Sequence, residues 1–420
     1  MNMKIRLIVM NLLIFAVWGA YLCSLGVYLG NINMGSNIGS FFAVQGIVSL
    51  FMPALMGIVA DKWIPAQKLL GICHLLCAFF AGCAGYMGMV NPEPSFNQLF
   101  WFYSLSVAFF MPTIALGNSV SYNALTNAGL DTVKAFPPIR VFGTVGFIIS
   151  MWIVDLTGAK ETYMQFFISA VWGVLLGLYS FTLPDCPVNK SKGAASFVEA
   201  LGLKAFALFK ETKMAIFFIF SFLLGMCLQV TNGFAGTFLG DFGNIPEYAD
   251  TFAVNHNIIL SSLSQISETL CILMIPFFLK RYGIKIVMLI SMFAWVLRFG
   301  FFGAGDPGSG VWLFILSMIV YGVAFDFFNI SGSLFVEKET DSSIRSSAQG
   351  VFMMMTNGLG ATVGSFCAQM VVDNYAYCYE AADPMRMEGW STAWYVFAGF
   401  SLVVAVLFAI LFKYKHNPQE

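Results

Sequence analysis

An all-α polytopic membrane protein of twelve spans is what this sequence predicts, and three observations carry that reading. Of its 420 residues, 59% are hydrophobic and only 10% are charged, and the mean hydropathy is +0.79, a composition foreign to soluble domains. Apolar runs of about 20 residues recur along the chain, the length at which a helix rising about 1.5 Å per residue crosses a hydrocarbon core of about 30 Å. Lysine and arginine gather in alternate loops, as expected if those loops remain in the cytoplasm.

The runs fall at 5–30, 38–60, 69–89, 99–122, 136–157 and 164–183, then at 214–238, 257–279, 284–304, 310–333, 347–372 and 393–413. With the N-terminus inside, Lys4, Arg6, Lys62, Lys68, Lys134, Lys190, Lys192, Lys204, Lys210 and Lys213 are cytoplasmic. So are Lys280, Arg281, Lys285, Lys338, Arg345, Lys413 and Lys415, while Lys160 and Arg386 fall outside. Both termini are therefore expected in the cytoplasm. Acidic residues collect on the other side: Asp241, Glu247 and Asp250, then Asp373, Glu380, Asp383 and Glu388. Lys4 and Arg6 before an apolar run imitate a secretory signal, but the run is too long and no small-residue cleavage site closes it. The nine cysteines are scattered without CxxC spacing and read as small apolar packing residues.

Residues 184–213 are the one long polar interruption. Pro184 and Pro187 end the sixth span, after which Lys190, Lys192, Lys204, Lys210 and Lys213 are interspersed among apolar residues, a pattern expected of a linker with an interfacial helix on the cytoplasmic leaflet. The expected organisation is thus a six-helix bundle over 1–183, the linker 184–213, a second six-helix bundle over 214–413 and a cytoplasmic tail, 414–420. A faint repeat accompanies it, with GIVADKW (57–63) after the second span and FLKRYGIK (278–285) after the eighth. The first string resembles the short loop of the major facilitator superfamily. With six spans on each side of a basic central loop, that fold is expected, two bundles rocking around a midplane site.

Four ionisable residues, Arg140, Glu268, Arg298 and Asp326, fall inside apolar runs. A charge at membrane depth costs roughly 2.5 to 3.5 kcal/mol on insertion scales, so such groups line a polar pathway or pair with one another. Arg140, Thr144 and Phe147 recur at i, i+4 and i+7, on one face of the fifth span. Gln229 and Asn232 are three apart on the seventh, Gln265 and Glu268 three apart on the eighth, and Tyr321 and Phe325 share a face of the tenth with Asp326 beside them. Each has a plainer reading. Any one Phe can be packing, Arg140 can anchor the mouth of the fifth span, and Asp326 can neutralise Arg298 from the neighbouring span. Arg298 itself, on a scaffold helix, reads as a structural pair or a snorkelling side chain and is left out of the site. The few histidines, His74, His256 and His416, are not expected to relay protons.

Amides, carboxylates, a hydroxyl, a guanidinium and three rings suit a solute with hydroxyl groups and a flat heterocycle. Amides and carboxylates pair with ribose hydroxyls and base edges, and rings stack on base faces, worth about 1 to 3 kcal/mol per base elsewhere. A sugar carrier would use the same amides with fewer rings, so the rings tilt the balance only modestly. HExxH, GxSxG, GxxxxGK[ST] and clustered Cys/His sets are all missing from the sequence, which argues against an enzyme. No cofactor or metal is expected. A sugar transporter, a drug exporter and a sensor built on a transporter fold stay open at this point.

At these residues the chain also resembles the bacterial nucleoside:proton symporters of the major facilitator superfamily. The resemblance runs through FMPALMGIVADKW, FPPIRVFGTVGFI, SQISETL, IPFFLKRYGIK, AFDFFNISGS and SAQGVFMMMTNG. It implies uptake of purine and pyrimidine nucleosides such as uridine together with protons, across the bacterial cytoplasmic membrane. It further implies that Arg140, Thr144, Phe147, Gln229, Asn232, Gln265, Glu268, Tyr321, Phe325 and Asp326 contact the solute. Nucleosides, protons and the lipid bilayer are the expected partners of a monomer, and no nucleic acid polymer is. Two positions depart from close members of that family: Cys227 stands where an acidic residue is expected, and Ala135 replaces an expected Asp. The first bears on coupling or selectivity, the second little on solute choice.

The mechanism that follows is alternating access driven by protons. A carboxyl in a low-dielectric interior holds a proton more readily than one in water, so Glu268 and Asp326 are the candidates for uptake outside and release inside, with Arg140 favouring the ionised form. Each proton moving inward supplies about 2.3 kcal/mol per 100 mV and about 1.4 kcal/mol per pH unit. Between the two, Asp326 is the expected carrier because rings flank it in AFDFF, while Glu268 has hydroxyl neighbours Ser267 and Thr269.

Overall fold

The computed structural model describes residues 2–186, 188, 203–341 and 344–414, and among them it is helical, without a strand. The helices are α1 (Met3–Gly19), α2 (Leu25–Asn31), α3 (Ile38–Lys62), α4 (Ala66–Val90), α5 (Phe96–Asn127), α6 (Thr132–Leu156) and α7 (Met164–Ser180), followed by α8 (Thr212–Asp241), α9 (Asn257–Ala304), α10 (Val311–Glu339), α11 (Arg345–Met353), α12 (Ala361–Tyr375) and α13 (Met385–Leu411). Within the expected linker, 184–213, residue 187 and residues 189–202 lie outside the described residues, as does the tail beyond 414. Of the linker, Leu203–Lys210 forms a 3-10 helix.

Two expected spans meet without a loop. α9 runs for 48 residues, roughly 72 Å at about 1.5 Å per residue, more than twice a hydrocarbon core. It must turn, and it does so at Gly283, where φ is 74° and ψ 171°, a backbone region open essentially to glycine alone. Conversely, the first apolar run, 5–30, is broken at residues 20–24 between α1 and α2. Ser24 Oγ reaches the Ala20 carbonyl at 3.2 Å and donates to Gln165 Oε1 at 2.9 Å, a polar tie that uniform apolarity in sequence does not reveal.

By internal contacts the chain divides into Met1–Met34 with Ile47–Leu201, and Gly35–Gly46 with Gly202–Glu420. In the first unit α1 packs along α6, and α4 along α5 and α7. A Cβ at Gly146 would stand 2.0 Å from the Leu12 carbonyl oxygen, so glycine is what lets the α1 and α6 backbones approach. In the second unit the two arms of α9 pack on α10 and α13, and α8 packs on α12 and the segment before it. The division cuts α3 at Gly46, and Gly39 N donates to Gln369 Oε1 at 2.6 Å within the second unit. Phenylalanine fills much of that core: Phe302 stacks on Trp394 at 4.7 Å and Phe238 meets the same indole at 5.5 Å.

The two basic residues expected in external loops are not free in solvent. Lys160 is 3% exposed, with Nζ 2.7 Å from Asp155 Oδ1. Arg386 Nε lies 2.8 Å from Asp241 Oδ2, which also accepts from Trp390 Nε1 at 2.7 Å. Sequence shows a charge in a loop but not the carboxylate folded against it.

Candidate functional site

In the first unit α6 presents Arg140, Thr144 and Phe147 one turn after another, and α1 lies against them. The Arg140 guanidinium sits 3.9 Å from the centroid of the Phe15 ring, a cation–π contact. Phe15 meets Trp18 at 6.3 Å, and Trp18 meets Phe147 edge-on at 6.0 Å and 88°. Arg140 and Thr144 remain half-buried, whereas Phe147 is buried. Phe15 and Trp18, which complete this group, carried no polar signal and were missed by the sequence reading.

The remaining expected residues belong to the second unit. Asn232 Nδ2 donates to Gln229 Oε1 at 3.1 Å, joining the two amides of α8. Tyr321 and Phe325 stack with centroids 5.7 Å apart and planes 4° from parallel. Asp326 is 5% exposed, its Oδ2 is buried without a hydrogen-bond partner, and its carboxyl interacts electrostatically with that of half-buried Glu268. The hydroxyls beside Glu268 turn to the backbone, Ser267 Oγ donating to the Ile319 carbonyl and Thr269 Oγ1 to the Gln265 carbonyl at 3.2 Å. Gln265 shares the Glu268 arm of α9, but among the described residues no hydrogen bond joins its side chain to the Gln229–Asn232 pair.

Arg298, expected as a snorkelling or paired scaffold residue, is 3% exposed and does not reach water. Its Nη1 donates to the Ser317 carbonyl at 2.8 Å and to Ser264 Oγ at 3.4 Å, and its Nη2 to Thr231 Oγ1 at 3.1 Å. The guanidinium lies 4.4 Å from the Tyr321 ring centroid. Arg298 therefore ties α8, α9 and α10 together directly beneath a ring of the candidate site.

Cys227 is buried against α13, with Sγ 3.4 Å from Ser401 Oγ, and lines an apolar cavity with Phe299, Val396 and Phe397. Its neighbours are packing residues, unlike those of Gln229 two positions on. A second cleft, beside Phe325, brings in Trp295, Asn329 and Asn357. The sequence reading left these out, although both asparagines meet its own criterion of a polar residue inside an apolar run.

The profile of the family described as "Nucleoside H+ symporter" matches residues 1–417. The chain is 51% identical over 423 residues to the xanthosine permease of Escherichia coli (strain K12), covering 100% of this chain and 98% of that one. It is 48% identical over 419 residues to nucleoside permease NupG of the same strain, covering 99% and 97%. The crystal structure of nucleoside transporter NupG superposes with a TM-score of 0.89 at 48% identity, covering 99% of this chain and 100% of that chain.

Proposed function

This chain belongs to the nucleoside H+ symporter family, and we propose that it carries purine and pyrimidine nucleosides into a bacterial cell across the cytoplasmic membrane, each coupled to proton entry. Relatives that are a xanthosine permease and a nucleoside permease support that class of cargo. The reading rests on what the second unit carries: a parallel Tyr321–Phe325 stack, a bonded Gln229–Asn232 pair, and Asp326, whose Oδ2 is buried without a hydrogen-bond partner, interacting electrostatically with Glu268. Rings supply a face for a base, amides supply donors and acceptors for ribose, and paired carboxyls supply a place for a proton.

In this reading the solute is contacted by Arg140, Thr144 and Phe147 of the first unit and by Gln229, Asn232, Gln265, Glu268, Tyr321, Phe325 and Asp326 of the second. Asp326 carries the proton, and Glu268 accepts hydrogen bonds from ribose. The chain crosses the membrane twelve times as a monomer, with both termini cytoplasmic, as two six-helix bundles over 1–183 and 214–413 joined by 184–213. Transport is by alternating access, the solute being exposed to one side of the membrane and then to the other. Counterflow of labelled uridine in proteoliposomes is the test. Uptake stimulated by internal unlabelled uridine and not by sugars supports nucleoside carriage; its absence with folded protein defeats it, and stimulation by a sugar favours a sugar carrier.

A further inference from the structure

Trp295, Phe325, Phe328, Asn329, Thr356 and Asn357 line a shallow cleft in the second unit that opens to solvent. Its rings continue the platform already described, since Phe325 stacks on Tyr321 and Trp295 meets Tyr321 edge-on at 6.0 Å and 88°. Besides the Thr356 hydroxyl, which donates to the Phe352 carbonyl at 3.0 Å, its polar side chains are two carboxamides in unlike positions. Asn329 Nδ2 donates to the Phe325 backbone carbonyl at 3.1 Å, one turn back along α10. Among the described residues, the hydrogen-bond contact of Asn357 Nδ2 is to the Met353 sulfur, 3.8 Å away, a weak acceptor that a better partner displaces.

The backbone under Asn357 is also unusual. Met354–Gly360 is a seven-residue π-helix set between α11 and α12. A π turn sacrifices regular i→i−4 hydrogen bonding and re-aims the side chains it carries, and such turns concentrate at functional sites. Packing contributes here too, because a Cβ at Gly225 would stand 2.4 Å from the Thr356 carbonyl oxygen. Packing alone gives no reason for an amide to line the cleft.

We propose that Asn357, with Asn329, reads the hydrogen-bonding edge of the nucleoside base. A carboxamide offers one N–H and one C=O side by side, complementary to the C=O and N–H of the imide edge in a uracil-type or xanthine-type ring, just as asparagine pairs with base edges elsewhere. The stacked rings hold the face of the base while the amides sample its edge. This inference rests on nucleosides being the cargo.

Competition for labelled uridine binding to the purified full-length protein tests it, with uridine and N3-methyluridine as probes, since the methyl group removes the imide N–H. Wild type is expected to prefer uridine at least tenfold. Asn357→Leu is expected to weaken uridine binding and bring the two probes within threefold of each other, and Asn357→Ser gives the same readout should the leucine variant not fold. Unchanged preference in both Asn357→Leu and Asn329→Leu overturns the proposal, as does a wild type that binds the two probes equally. A folded wild type that binds no nucleoside defeats the cargo assignment itself, a result distinct from either.

Discussion

The guanidinium of Arg298 lies 4.4 Å from the centroid of the Tyr321 ring, and that ring lies parallel to Phe325. Arg298 also donates to Ser317, Ser264 and Thr231, a position from which it would orient the ring. Lysine keeps the charge but lacks the planar fork that reaches three oxygens at once. Arg298→Lys is expected to lower stability by about 2 kcal/mol or more, from a desolvated cation–π contact and charged hydrogen bonds, measured by thermal unfolding in detergent. If it acts through the ring, uridine affinities of Arg298→Lys, Tyr321→Leu and the double variant will be non-additive by roughly 0.5 to 3 kcal/mol. Strict additivity would separate Arg298 from solute binding.

Removal of an amide leaves its partner unsatisfied in a partly buried site. Gln229→Ala, Asn232→Ala and Gln265→Ala are each expected to weaken uridine binding by about 1 to 3 kcal/mol, read by titration of protein that still reaches the membrane. Asn232→Ala also strips Gln229 Oε1 of its donor, so its effect should overlap with that of Gln229→Ala. Normal uridine binding by all three variants would place the site elsewhere.

Coupling separates from binding in the carboxyl pair. Asp326→Asn removes titration while keeping size, so uphill accumulation should fail while energy-independent exchange persists. Glu268→Gln should instead weaken affinity with accumulation retained. The measurement is accumulation against exchange across external pH for both variants. If Asp326→Asn still concentrates uridine with unchanged pH dependence, Glu268 is the carrier.

Lys160 and Asp155 face one another with side chains 4% and 0% exposed. Asp155→Asn strands a buried ammonium and is expected to cost about 3 to 5 kcal/mol, while the Asp155→Leu, Lys160→Met double change should recover much of it. Thermal unfolding of purified protein reads both. A single substitution costing under about 1 kcal/mol would mean the pair is solvated in the folded protein.

Charge asymmetry predicts the topology. A reporter fused after Lys192 should be cytoplasmic and one fused near Glu380 external. Both on one side would overturn the twelve-span reading.

Much of the candidate site was legible because a polar side chain inside an apolar run costs energy wherever the run lies in lipid. That rule picks out Arg140, Gln229, Glu268 and Asp326 without any coordinates, and helical spacing adds Thr144 and Phe147 to the Arg140 face. It gives no account of Phe15 and Trp18, whose rings meet Arg140 and Phe147 but look like any other apolar residue in the first span. For Arg298 it leaves two structural roles open, because a charge on a scaffold helix looks alike whether it snorkels to water or bonds to neighbouring helices.

The amino-acid sequence by itself determined the helical class, the apolar runs and the membership of a family, since hydrophobicity, period and residue strings are local properties. Only the tertiary structure decided that the eighth and ninth runs meet at Gly283, that Lys160 is buried against Asp155, that Tyr321 contacts both Arg298 and Phe325, and that Asn357 sits on a π turn beside a cleft. Those outcomes depend on distances between side chains from different helices and on a backbone register set by packing, and neither is written in the order of residues along one span.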